Sequence, residues 1–477
     1  MGKDNFKIEK ITPRDVDFAK WYTDVIKNSN LVEYGAVKGT MIYKPYGFAI
    51  WENIQKLVDV EFKKLKVDNV YFPLLIPKSL FLKEKAHVEG FAPELWTVTQ
   101  TGDNKLAEPL YIRPTSEVAI ADFWAKNIKS HRDLPMKYNQ WVNVMRAEKT
   151  TRPFLRGNEF LWQEGHTVHA NADEALKMTL DILGVYKRIS QDKLMIPVIT
   201  GQKTEHEKFA GAKNTYTIEA LMHDGQSLQS ATSHYFDQNF TKAFNVKFQN
   251  KLQKEEFAYS TSWGLSTRIM GAIIMCHADD FGLVLPSAIA PIQVEIIKIK
   301  DDEKINKVAD DIETKLSKHF KVEIDSSDKS FGFKISEAEI KGIPLRVEIG
   351  LRDLEEGCVT ISRRDTRTKH KVKLVDVEKY VADEIKAYDM NIYKNAESNL
   401  NNRIFKANTI KEYQDILKQN QGFVLVPFCG AIECEADVKQ KTSTNSRCIP
   451  DGIEQTAGKC FNCNKESKYR VYFARAY

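Results

Sequence analysis

The sequence predicts an α+β protein with a large antiparallel sheet, followed by a smaller α/β domain and a compact C-terminal domain. Up to residue 288, strand-like segments are separated by turns and not by crossover helices, which favours antiparallel pairing. After residue 289, strands alternate with helical stretches, as in small α/β domains. Four of the seven cysteines lie in two closely spaced pairs near the C-terminus, which indicates a metal-bound tail.

The composition indicates a folded protein of several domains. The chain has 477 residues, 42% of them hydrophobic, which exceeds a single small core. A net charge of +5 is too small to indicate nucleic-acid binding by itself, and no DNA partner is expected. The sequence shows no long apolar run and no N-terminal targeting signal, so no membrane partner is expected. Seven cysteines in so long a chain favour the reducing cytoplasm over a disulfide framework.

The first predicted domain, residues 1–288, carries the large sheet. Residues 6–62 show a helical pattern with interspersed aromatic residues, and residues 69–77 are typical of a buried strand ended by prolines. Further strands are predicted at residues 110–113, 136–145, 154–163, 195–200, 215–221 and 256–263.

The second predicted domain, residues 289–390, begins with a strand at 292–299 and a helix at 301–320. Acidic residues come early in that helix and basic residues late, in the order that the helix dipole favours. Strands are then predicted at residues 322–325, 345–349 and 359–363. Residues 391–408 are rich in Asn, Lys and Ser and lack an apolar period, which predicts an exposed linker. This linker and a C-terminal domain make up residues 391–477.

The most informative segment joins Arg146-x-Glu148 to Arg156-x-x-x-Phe160 through a short polar loop. It resembles motif 2 of the class II aminoacyl-tRNA synthetases, two antiparallel strands whose loop holds ATP and the reacting carboxylate. A carboxylate that attacks an α-phosphate approaches another anion, so a fixed guanidinium is needed between them, and Arg146 suits that role. The alternative is an amphipathic hairpin whose arginines pair with Glu148 and Glu159.

Residues 113–117 read RPTSE and resemble the loop by which several class II synthetases hold the α-amino group of the amino acid. Thr115 and Glu117 would offer two acceptors and a negative charge. These match the two N–H donors of a secondary ammonium such as that of proline. Alternatively, the segment only opens a helix, with Glu117 in its first turn.

Two further segments complete the class II pattern. Residues 261–279 resemble motif 3, in which Gly264 would let ATP approach a strand and Arg268 would meet a phosphate at a helix N-terminus. Residues 39–54 and the strand after them resemble motif 1, which builds a dimer interface; an ordinary amphipathic helix is the alternative. The three motifs in this order are far less expected by chance than any one of them.

Several segments select one family: VKGTMIYKPYGFAIWE, RPTSE, FLWQEGHT, KFAGA and TSHYFDQNF. Together they resemble the prolyl-tRNA synthetases over essentially the whole chain, and among these the archaeal and eukaryotic type with a C-terminal extension. The bacterial type has an editing domain between motifs 2 and 3, for which residues 157–267 leave no room. The resemblance implies activation of L-proline by ATP, transfer to tRNA(Pro), Mg²⁺ on the phosphates and a homodimer.

The resemblance also implies roles for individual residues. Arg146 and Arg268 would supply the catalytic positive charge, and Arg146 would also hold the proline carboxylate. The proline pocket would comprise Thr115, Glu117, Arg146, Trp162, Glu164, His166, Phe209, His234 and Ser262, with Phe91 nearby. The ATP site would comprise Arg146, Glu148, Arg156, Gln229, Thr232 and Arg268. For the aromatic and histidine residues, ordinary core packing is the alternative.

No side chain needs to act as a nucleophile, because the substrate carboxylate is already ionised and attacks in line; positioning and charge then supply the catalysis.

Two other functions would share these motifs. A threonyl or seryl enzyme is the first, although a threonine enzyme would want a zinc in the catalytic sheet, for which the sequence shows no His/Cys set. A non-catalytic tRNA-binding sensor is the second, and would be expected to lose a motif arginine or Glu117.

The C-terminal cysteines form two ligand pairs, Cys429-x4-Cys434 and Cys460-x2-Cys463. Two such pairs suit a tetrahedral structural Zn²⁺ with no open position. Four reduced core cysteines are the alternative. Cys448 is left over and is expected to be buried.

Two further details concern the tail. Asn464 stands where glycine is expected after the last cysteine, which leaves the turn geometry open. The family often ends in a tyrosine whose carboxylate docks near the catalytic domain, and this chain ends in Tyr477.

The basic segment RRDTRTKHK, residues 363–371, could follow an anticodon phosphate backbone, or it could be the solvated end of a hairpin. The resemblance implies that the neighbouring segment RVEIGLRDLEEG reads anticodon bases. The candidate tRNA contacts are Glu348, Arg352 and Lys369.

Overall fold

The computed structural model describes residues 11–83, 90–91, 95–453 and 458–477. Residues 1–10, for which the sequence predicts no targeting signal and the start of a helical pattern, lie outside the described residues. Among the described helices, none is both long and apolar enough to span a membrane.

The region before residue 289 alternates short helices with strands. Its helices are α1 Phe18–Asn28, α2 Pro45–Lys64, α3 Lys78–Phe81, α4 Glu117–Asn127, α5 Ala172–Arg188, α6 Asn239–Ala243 and α7 Arg268–His277. Its strands are β1 Val32–Tyr34, β2 Met41–Tyr43, β3 Asp68–Asn69, β4 Leu75–Pro77, β5 Trp96–Thr101, β6 Asn104–Ile112, β7 Met136–Met145, β8 Glu159–His169, β9 Val198–Gln202, β10 Asn214–Leu221, β11 Ser227–Asp237, β12 Lys247–Gln249, β13 Glu255–Phe257 and β14 Tyr259–Ser266.

Two smaller regions follow. The first contains β15 Val294–Lys298, α8 Glu303–Leu316, β16 Val322–Ile324, α9 Phe331–Lys341, β17 Leu345–Ile349, α10 Leu351–Glu355, β18 Cys358–Arg363, β19 Lys369–Lys373 and α11 Val377–Asn401. The second contains β20 Ile404–Lys406, α12 Ile410–Gln419, β21 Phe423–Phe428, α13 Ile432–Thr442, β22 Asn445–Pro450 and β23 Tyr469–Ala474.

One sheet of eleven strands connects the first and last regions, in the order β20-β21-β23-β22-β9-β10-β11-β14-β8-β7-β3. Its central pairs are antiparallel, which confirms the predicted antiparallel sheet. The two regions meet where Ile449 of β22 pairs with Gln202 of β9. Glycine is needed at position 201, because a Cβ there would lie 2.2 Å from the Ile449 carbonyl oxygen.

The middle region forms the predicted α/β domain. Its five strands have the order β16-β15-β17-β18-β19, with parallel pairs around β15 and antiparallel pairs toward β19. The strands bury apolar side chains against α8 and α11, so this domain has a core of its own.

Three predicted segments of the first region differ from the structure. Residues 6–62 are not helical throughout, because a β1–β2 hairpin separates α1 from α2. Residues 69–77 do not form one buried strand: β3 and β4 are short, and Tyr71 between them is 74% exposed. Pro73 and Pro77 lack the N–H groups that a sheet ladder requires. The strand predicted at 154–163 begins only at Glu159.

The linker predicted at residues 391–408 is wrong for most of its length, since α11 continues to Asn401. Ile392, Ala396 and Leu400 recur at every fourth position and are buried. Their spacing places them on one helix face, while the polar Asn, Lys and Ser residues cover the other faces. A narrow apolar stripe of this kind is easily missed in an Asn-rich segment.

A buried ion pair joins the α/β domain to the first region. Arg364 is fully buried and donates through Nη1 (2.8 Å) and Nη2 (2.5 Å) to the carboxylate of Asp279. Its Nε donates to the Glu339 carbonyl oxygen at 2.8 Å. The guanidinium therefore depends on Asp279 for its counter-charge.

Replacement of Asp279 by alanine should lower the free energy of unfolding by about 3 kcal/mol, because it leaves a buried guanidinium without its counter-charge. Asp280→Ala is the matched control, since its partner Arg14 is partly exposed and such pairs contribute about 0.5 kcal/mol. Urea denaturation followed by circular dichroism measures both variants. Equal losses would contradict the assignment of Asp279 as the dominant partner.

Candidate active site

Two rows of paired residues cross the large sheet through β7, β8, β14, β11 and β10. The first row is Gln140, Glu164, Gly264, Thr232 and Thr217, and the second is Tyr138, His166, Ser262, His234 and Thr215. Paired residues on neighbouring strands share a sheet face, and residues two apart on one strand do so as well. The register therefore gathers onto one face residues that are distant in the sequence.

A cavity of about 200 Å³ lies over this face. From the predicted proline and ATP sets it is lined by Thr115, Glu117, Arg146, Trp162, Glu164, Phe209, Gln229, Thr232, His234, Ser262 and Arg268. Gly264 lies beneath it, where an added Cβ would come within 3.1 Å of the Trp162 ring. The structure thus brings most of the predicted residues together in one site.

Glu117 forms the anionic end of the cavity. It is the first residue of α4, is 6% exposed, and accepts hydrogen bonds from the hydroxyls of Thr115 and, at 3.0 Å, Ser262. A helix N-terminus is a favourable position for an acidic side chain. The predicted helix start and the predicted ammonium contact are therefore both compatible with this position.

Glu164 is a second carboxylate, held below the first in a buried network. Its oxygens accept from the Ser116 amide at 3.0 Å, from Gln140 Nε2 at 2.7 Å and from His166 Nε2 at 3.0 Å. Burial alone would raise the pKa of Glu164, but the hydrogen bonds from His166, Ser116 and Gln140 bring that pKa below its ordinary value. Burial lowers the pKa of His166, but the carboxylates of Glu164 and Glu117 raise it by more, so that this pKa lies above its ordinary value. Glu164 and His166 therefore form an ion pair at pH values between these two pKa values.

Aromatic rings form one wall of the cavity. Phe209 packs against His234 with ring centroids 4.5 Å apart, and against Phe91 at 5.8 Å. The His234 ring nitrogens contact the hydroxyls of Thr215 at 3.0 Å and Thr232 at 3.1 Å. Burial, with the charges of His166 and Arg146, lowers the pKa of His234 to about 3, so this imidazole is neutral. It contributes a flat, uncharged surface.

Arg146 lies at the cationic end and is held in a fixed plane. Its Nε donates to the Pro114 carbonyl oxygen at 3.0 Å. Its guanidinium carbon lies 5.1 Å from the Phe91 ring, 5.5 Å from Phe160 and 5.4 Å from Trp162. These contacts pre-organise the guanidinium, as the motif 2 interpretation requires.

Arg268 is the second cation and begins α7, as predicted. Its Nε donates to the Leu155 carbonyl oxygen at 3.2 Å. Burial and the positive charges of Arg156 and Arg146 lower the pKa of Arg268 to about 10. A group of like charges so close together indicates a site for an anion.

Four predicted residues do not line the cavity. Phe91 packs against the lining residue Arg146, and His166 contacts the lining residue Glu164. Glu148 and Arg156 lie at the β7–β8 loop and contact each other at 3.5 Å. The Arg156 side chain is 45% exposed, so the hairpin interpretation accounts for this pair in the present geometry. Its charge still acts on Arg268.

The sequence interpretation missed several residues of the site. Glu207, Thr215 and Ser266 line the cavity, and Ser116 and Gln140 hold Glu164. Thr215 could have been found from its two-residue spacing on β10. Gln140 could not, because its role depends on register with β8.

The four predicted cysteine ligands converge in the C-terminal domain. Cys429 follows β21, Cys434 lies in α13, and Cys460 and Cys463 lie in the turn before β23; their sulfur atoms all lie within 4.8 Å of one another. Two contacts are 3.6 and 3.8 Å, close to the sulfur separation of about 3.8 Å that bonds of about 2.3 Å to a tetrahedral zinc imply. The donor set therefore fits a closed zinc site.

Three other tail residues also have defined places. Cys448 is fully buried, as predicted. Asn464 adopts φ 58°, a left-handed conformation that asparagine tolerates better than most residues, so it replaces the expected glycine. Tyr477 donates its amide to the Ser227 carbonyl oxygen at 3.2 Å and its hydroxyl to Asp224 at 2.5 Å.

The three anticodon candidates in the α/β domain differ in exposure. Glu348 is 4% exposed and accepts from Lys369 Nζ at 2.8 Å and from Ser362 at 2.7 Å. Arg352 lies exposed on α10. Lys369 and Arg352 are therefore accessible, whereas Glu348 is occupied by partners within the domain.

Three family models match the chain in order. They are described as tRNA synthetase class II core domain (G, H, P, S and T), over residues 97–277, anticodon binding domain, over residues 289–384, and prolyl-tRNA synthetase, C-terminal, over residues 410–477. Their order agrees with the succession of sheet, α/β domain and cysteine-containing tail.

Individual relatives match over the full length. The chain is 63% identical over 471 residues to a proline–tRNA ligase of Mesoplasma florum, covering 99% of this chain and 100% of that protein. It is 50% identical over 478 residues to one of Clostridium novyi, covering 100% of both. The solved structure of prolyl-tRNA synthetase from Cryptosporidium parvum, complexed with halofuginone and AMPPNP, matches with a TM-score of 0.95 at 38% identity, over 100% of this chain and 99% of that chain.

The His166–Glu164 pair predicts a pH dependence of stability. The pKa of Glu164 lies below its usual 4.5, so its contribution is present above pH 4.5 and is lost as pH falls through the folded pKa. The pKa of His166 lies above its usual 6.5, so its contribution is present below pH 6.5 and is lost as pH rises through the folded pKa. His166→Gln should therefore lower the melting temperature most between pH 4.5 and 6.5, and less at pH 9.

His169→Gln is the matched control for this prediction. Burial lowers the pKa of His169 to about 4, so the histidine is neutral when folded and destabilises the protein as pH falls below its usual 6.5. Its replacement should become relatively more favourable at low pH, opposite to the trend for His166. Thermal melting from pH 4.5 to 9 measures both trends. A pH-independent loss in His166→Gln would contradict the ion pair.

Proposed function

The chain belongs to the prolyl-tRNA synthetase family of class II aminoacyl-tRNA synthetases, and we propose that it activates L-proline with ATP and transfers the prolyl group to the 3′ end of tRNA(Pro). The observation that carries this proposal is one cavity lined by the buried carboxylate of Glu117 and by two half-buried arginines, Arg146 and Arg268. Proline carries an ammonium and a carboxylate, and ATP carries the phosphates that the arginines would neutralise. The full-length identity to proline–tRNA ligases supports the same substrate.

We assign the ammonium of proline to Glu117 and Thr115. The Glu164–His166 ion pair balances its own charge and Glu207 accepts from Asn445 Nδ2 at 3.1 Å, so Glu117 is the carboxylate left to match the substrate cation. The pyrrolidine ring would lie against Phe209 and the neutral imidazole of His234, which cost little to desolvate. Trp162 and Ser262 complete this pocket, and Phe91 supports it by packing against Phe209 and Arg146.

In the first step, a carboxylate oxygen of proline attacks the α-phosphorus of ATP while the bond to the β-phosphate oxygen breaks. Arg146 lies where it would hold the proline carboxylate beside the α-phosphate and reduce their repulsion. Arg268, at the N-terminus of α7, would stabilise the departing pyrophosphate. Gln229 and Thr232 would contact the nucleotide, and Glu148 and Arg156 would join the site from the β7–β8 loop.

In the second step, the terminal tRNA hydroxyl attacks the prolyl carbonyl carbon and AMP leaves. The bond between that carbon and the phosphate oxygen breaks, and the hydroxyl proton is released. We assign no protein base to this step.

Mg²⁺ bound to ATP would add positive charge on the phosphates, and the Glu148 carboxylate is an oxygen ligand of the kind it prefers.

The architecture supports the archaeal and eukaryotic type, although the relatives named above include bacterial proteins. A prolyl-tRNA synthetase C-terminal model matches residues 410–477, and β8 and β14 pair directly, with no editing domain between them in residues 170–258.

We divide the chain into a catalytic domain at 1–288, an anticodon-binding domain at 289–390 and a zinc-binding tail at 391–477. AMPPNP, an ATP analogue, in the Cryptosporidium parvum protein supports the nucleotide site.

We further propose a homodimer, formed through the motif 1 elements, and a cytoplasmic location. Tyr34, Ile42 and Tyr71 lie on or beside these elements and are each more than half exposed, which suits a surface that a second copy would cover. A cytoplasmic location follows from the need for tRNA(Pro), proline and ATP together.

For tRNA we assign Lys369 and Arg352 to the anticodon side, with Glu348 orienting Lys369.

Amino-acid-dependent exchange of pyrophosphate into ATP tests the activity directly. With all twenty amino acids offered separately, proline should stimulate exchange most and alanine weakly, since a missing methylene costs only about 1–3 kcal/mol of discrimination. Arg146→Ala should lower exchange at least about 100-fold, the loss typical for a group that stabilises developing charge. Arg188→Ala is the matched control, because that arginine lies on the surface of α5.

Exchange stimulated best by threonine or serine would overturn the substrate. An absence of exchange with every amino acid, in a folded and zinc-loaded protein that binds tRNA(Pro), would favour the non-catalytic sensor. Equal exchange in wild type and Arg146→Ala would overturn the role of that arginine.

The cysteine cluster predicts one zinc ion per chain. Cys463→Ser should reduce bound zinc, measured by atomic emission after dialysis, to well below one equivalent, because it removes one of four ligands. Cys448→Ser is the matched control and should keep the metal, since that thiol lies outside the cluster. Full zinc content in Cys463→Ser, or none in wild type, would contradict the site.

A further inference from the structure

A buried carboxylate connects the C-terminal domain to the catalytic sheet. Glu219 of β10 is fully buried. Its Oε1 accepts from Lys203 Nζ at 2.8 Å and from the Thr217 hydroxyl at 3.0 Å. Its Oε2 accepts from Ser227 at 2.9 Å and from Arg447 through Nε at 3.0 Å and Nη2 at 2.8 Å. Only Arg447 in this group comes from the C-terminal domain.

A β-bulge aims Arg447 at this carboxylate. In the pairing of β22 with β23, Ser446 faces Phe473 and Cys448 faces Tyr472, so Arg447 is the extra residue. A bulge breaks the regular alternation and redirects one side chain. Arg447 thereby crosses from β22 to β10, although β9 lies between these strands.

Glu219 lies beside β11, the strand that forms the side of the cavity that we assign to ATP. It pairs directly with Gln229 of β11, whereas the preceding residue Ile218 pairs with Ala231, so Ser230 is the extra residue of a second bulge. Four consecutive residues of β11, from Gln229 onwards, line the cavity. Regular alternation would offer only every second residue, so this bulge shapes the edge that we assign to ATP.

The same cluster supplies positive charge behind that edge. Lys203 and Arg447 both pair with the carboxylate of Glu219, and the negative charge of Glu207 also acts on both. The charge of Arg447 also contributes, after burial, Arg156 and Arg146, to the lowered pKa of Arg268. The field of Arg447 therefore reaches the end of the cavity that we assign to phosphate.

We propose that Arg447 is a positioning residue for ATP: it clamps Glu219 and thereby maintains the β10–β11 bulge that presents Gln229 and its neighbours to the nucleotide. This inference rests on the proposed function. Arg447 does not line the cavity, so it acts through Glu219 without touching substrate. The C-terminal domain would then affect nucleotide affinity more than proline affinity, because Glu117 and Thr115 lie outside β10 and β11 and His234 lies five residues beyond Gln229 on β11.

The test is proline-dependent pyrophosphate exchange with ATP and proline varied separately. Arg447→Met, which keeps the apolar length of the side chain, should raise the KM for ATP about tenfold, the loss typical when a residue that orients a ligand-binding group is removed. The KM for proline should stay within about twofold. Arg447→Lys, which keeps the charge but not the two-nitrogen contact, should recover part of the ATP affinity.

Ser446→Ala is the matched control. Ser446 is the preceding residue of β22, is buried, and contacts Thr204 at 3.0 Å across the same interface, but does not touch Glu219. It should leave both KM values unchanged. Zinc content and melting temperature, measured for every variant, separate loss of the clamp from loss of the domain.

An unchanged KM for ATP in folded Arg447→Met would overturn the inference, as would equal rises in both KM values or the same ATP defect in Ser446→Ala. Where Arg447→Met does not fold, Arg447→Lys carries the test, and a KM for ATP that does not rise relative to that for proline overturns it. If wild type itself shows no exchange with proline, the proposed function fails first. If wild type shows exchange with proline but the Arg447 variants show no rise in the KM for ATP relative to that for proline, this inference alone fails.

Discussion

The site depends on one constraint: buried and half-buried charges of both signs must surround a small cavity without collapsing onto one another. Glu117 and Glu164 lie on one side, and Arg146 and Arg268 on the other. In a dry interior such charges would attract strongly and close the cavity if their side chains could move. Each is therefore fixed by a hydrogen bond to a neighbouring residue, as Arg146 is to the Pro114 carbonyl oxygen. Strand register holds the two sides apart, because a shift of one residue would turn every side chain to the other face.

Within this arrangement, two buried histidines have opposite charge states. His166 has a carboxylate within 3.0 Å and becomes a cation, while His234 has only hydroxyl partners and nearby cations and stays neutral. They occupy the same cross-strand row, on either side of Ser262. The difference serves the site, because the cation neutralises Glu164 and the neutral ring offers an apolar wall. Charge is thereby confined to the places where the substrates would carry the opposite charge.

The sequence predicted those parts of the structure whose signal is local. Arg146, Glu117 and Arg268 lie in short motifs, and their positions at a strand end and at two helix starts follow from nearby residues. The cysteine pairs are local in the same sense. The Glu164–Gln140 contact and the Arg447–Glu219 clamp could not be predicted, since they depend on the register of strands 24 and 228 residues apart. The helix at 391–401 was missed for a different reason: its apolar stripe is one residue wide.

The C-terminal domain is attached by strand addition, and that geometry carries its effects inward. β23 pairs with both β21 and β22, and β22 in turn pairs with β9 of the catalytic sheet. Cys429 lies at the end of β21, Cys434 in α13, and Cys460 and Cys463 just before β23, so a metal bound there would fix the spacing of these two strands. That spacing determines where β22 lies and, through its bulge, where the guanidinium of Arg447 meets Glu219. A metal site on the far side of the tail would thus bear on nucleotide binding through a continuous series of hydrogen-bonded strands, because each strand fixes the register of the next.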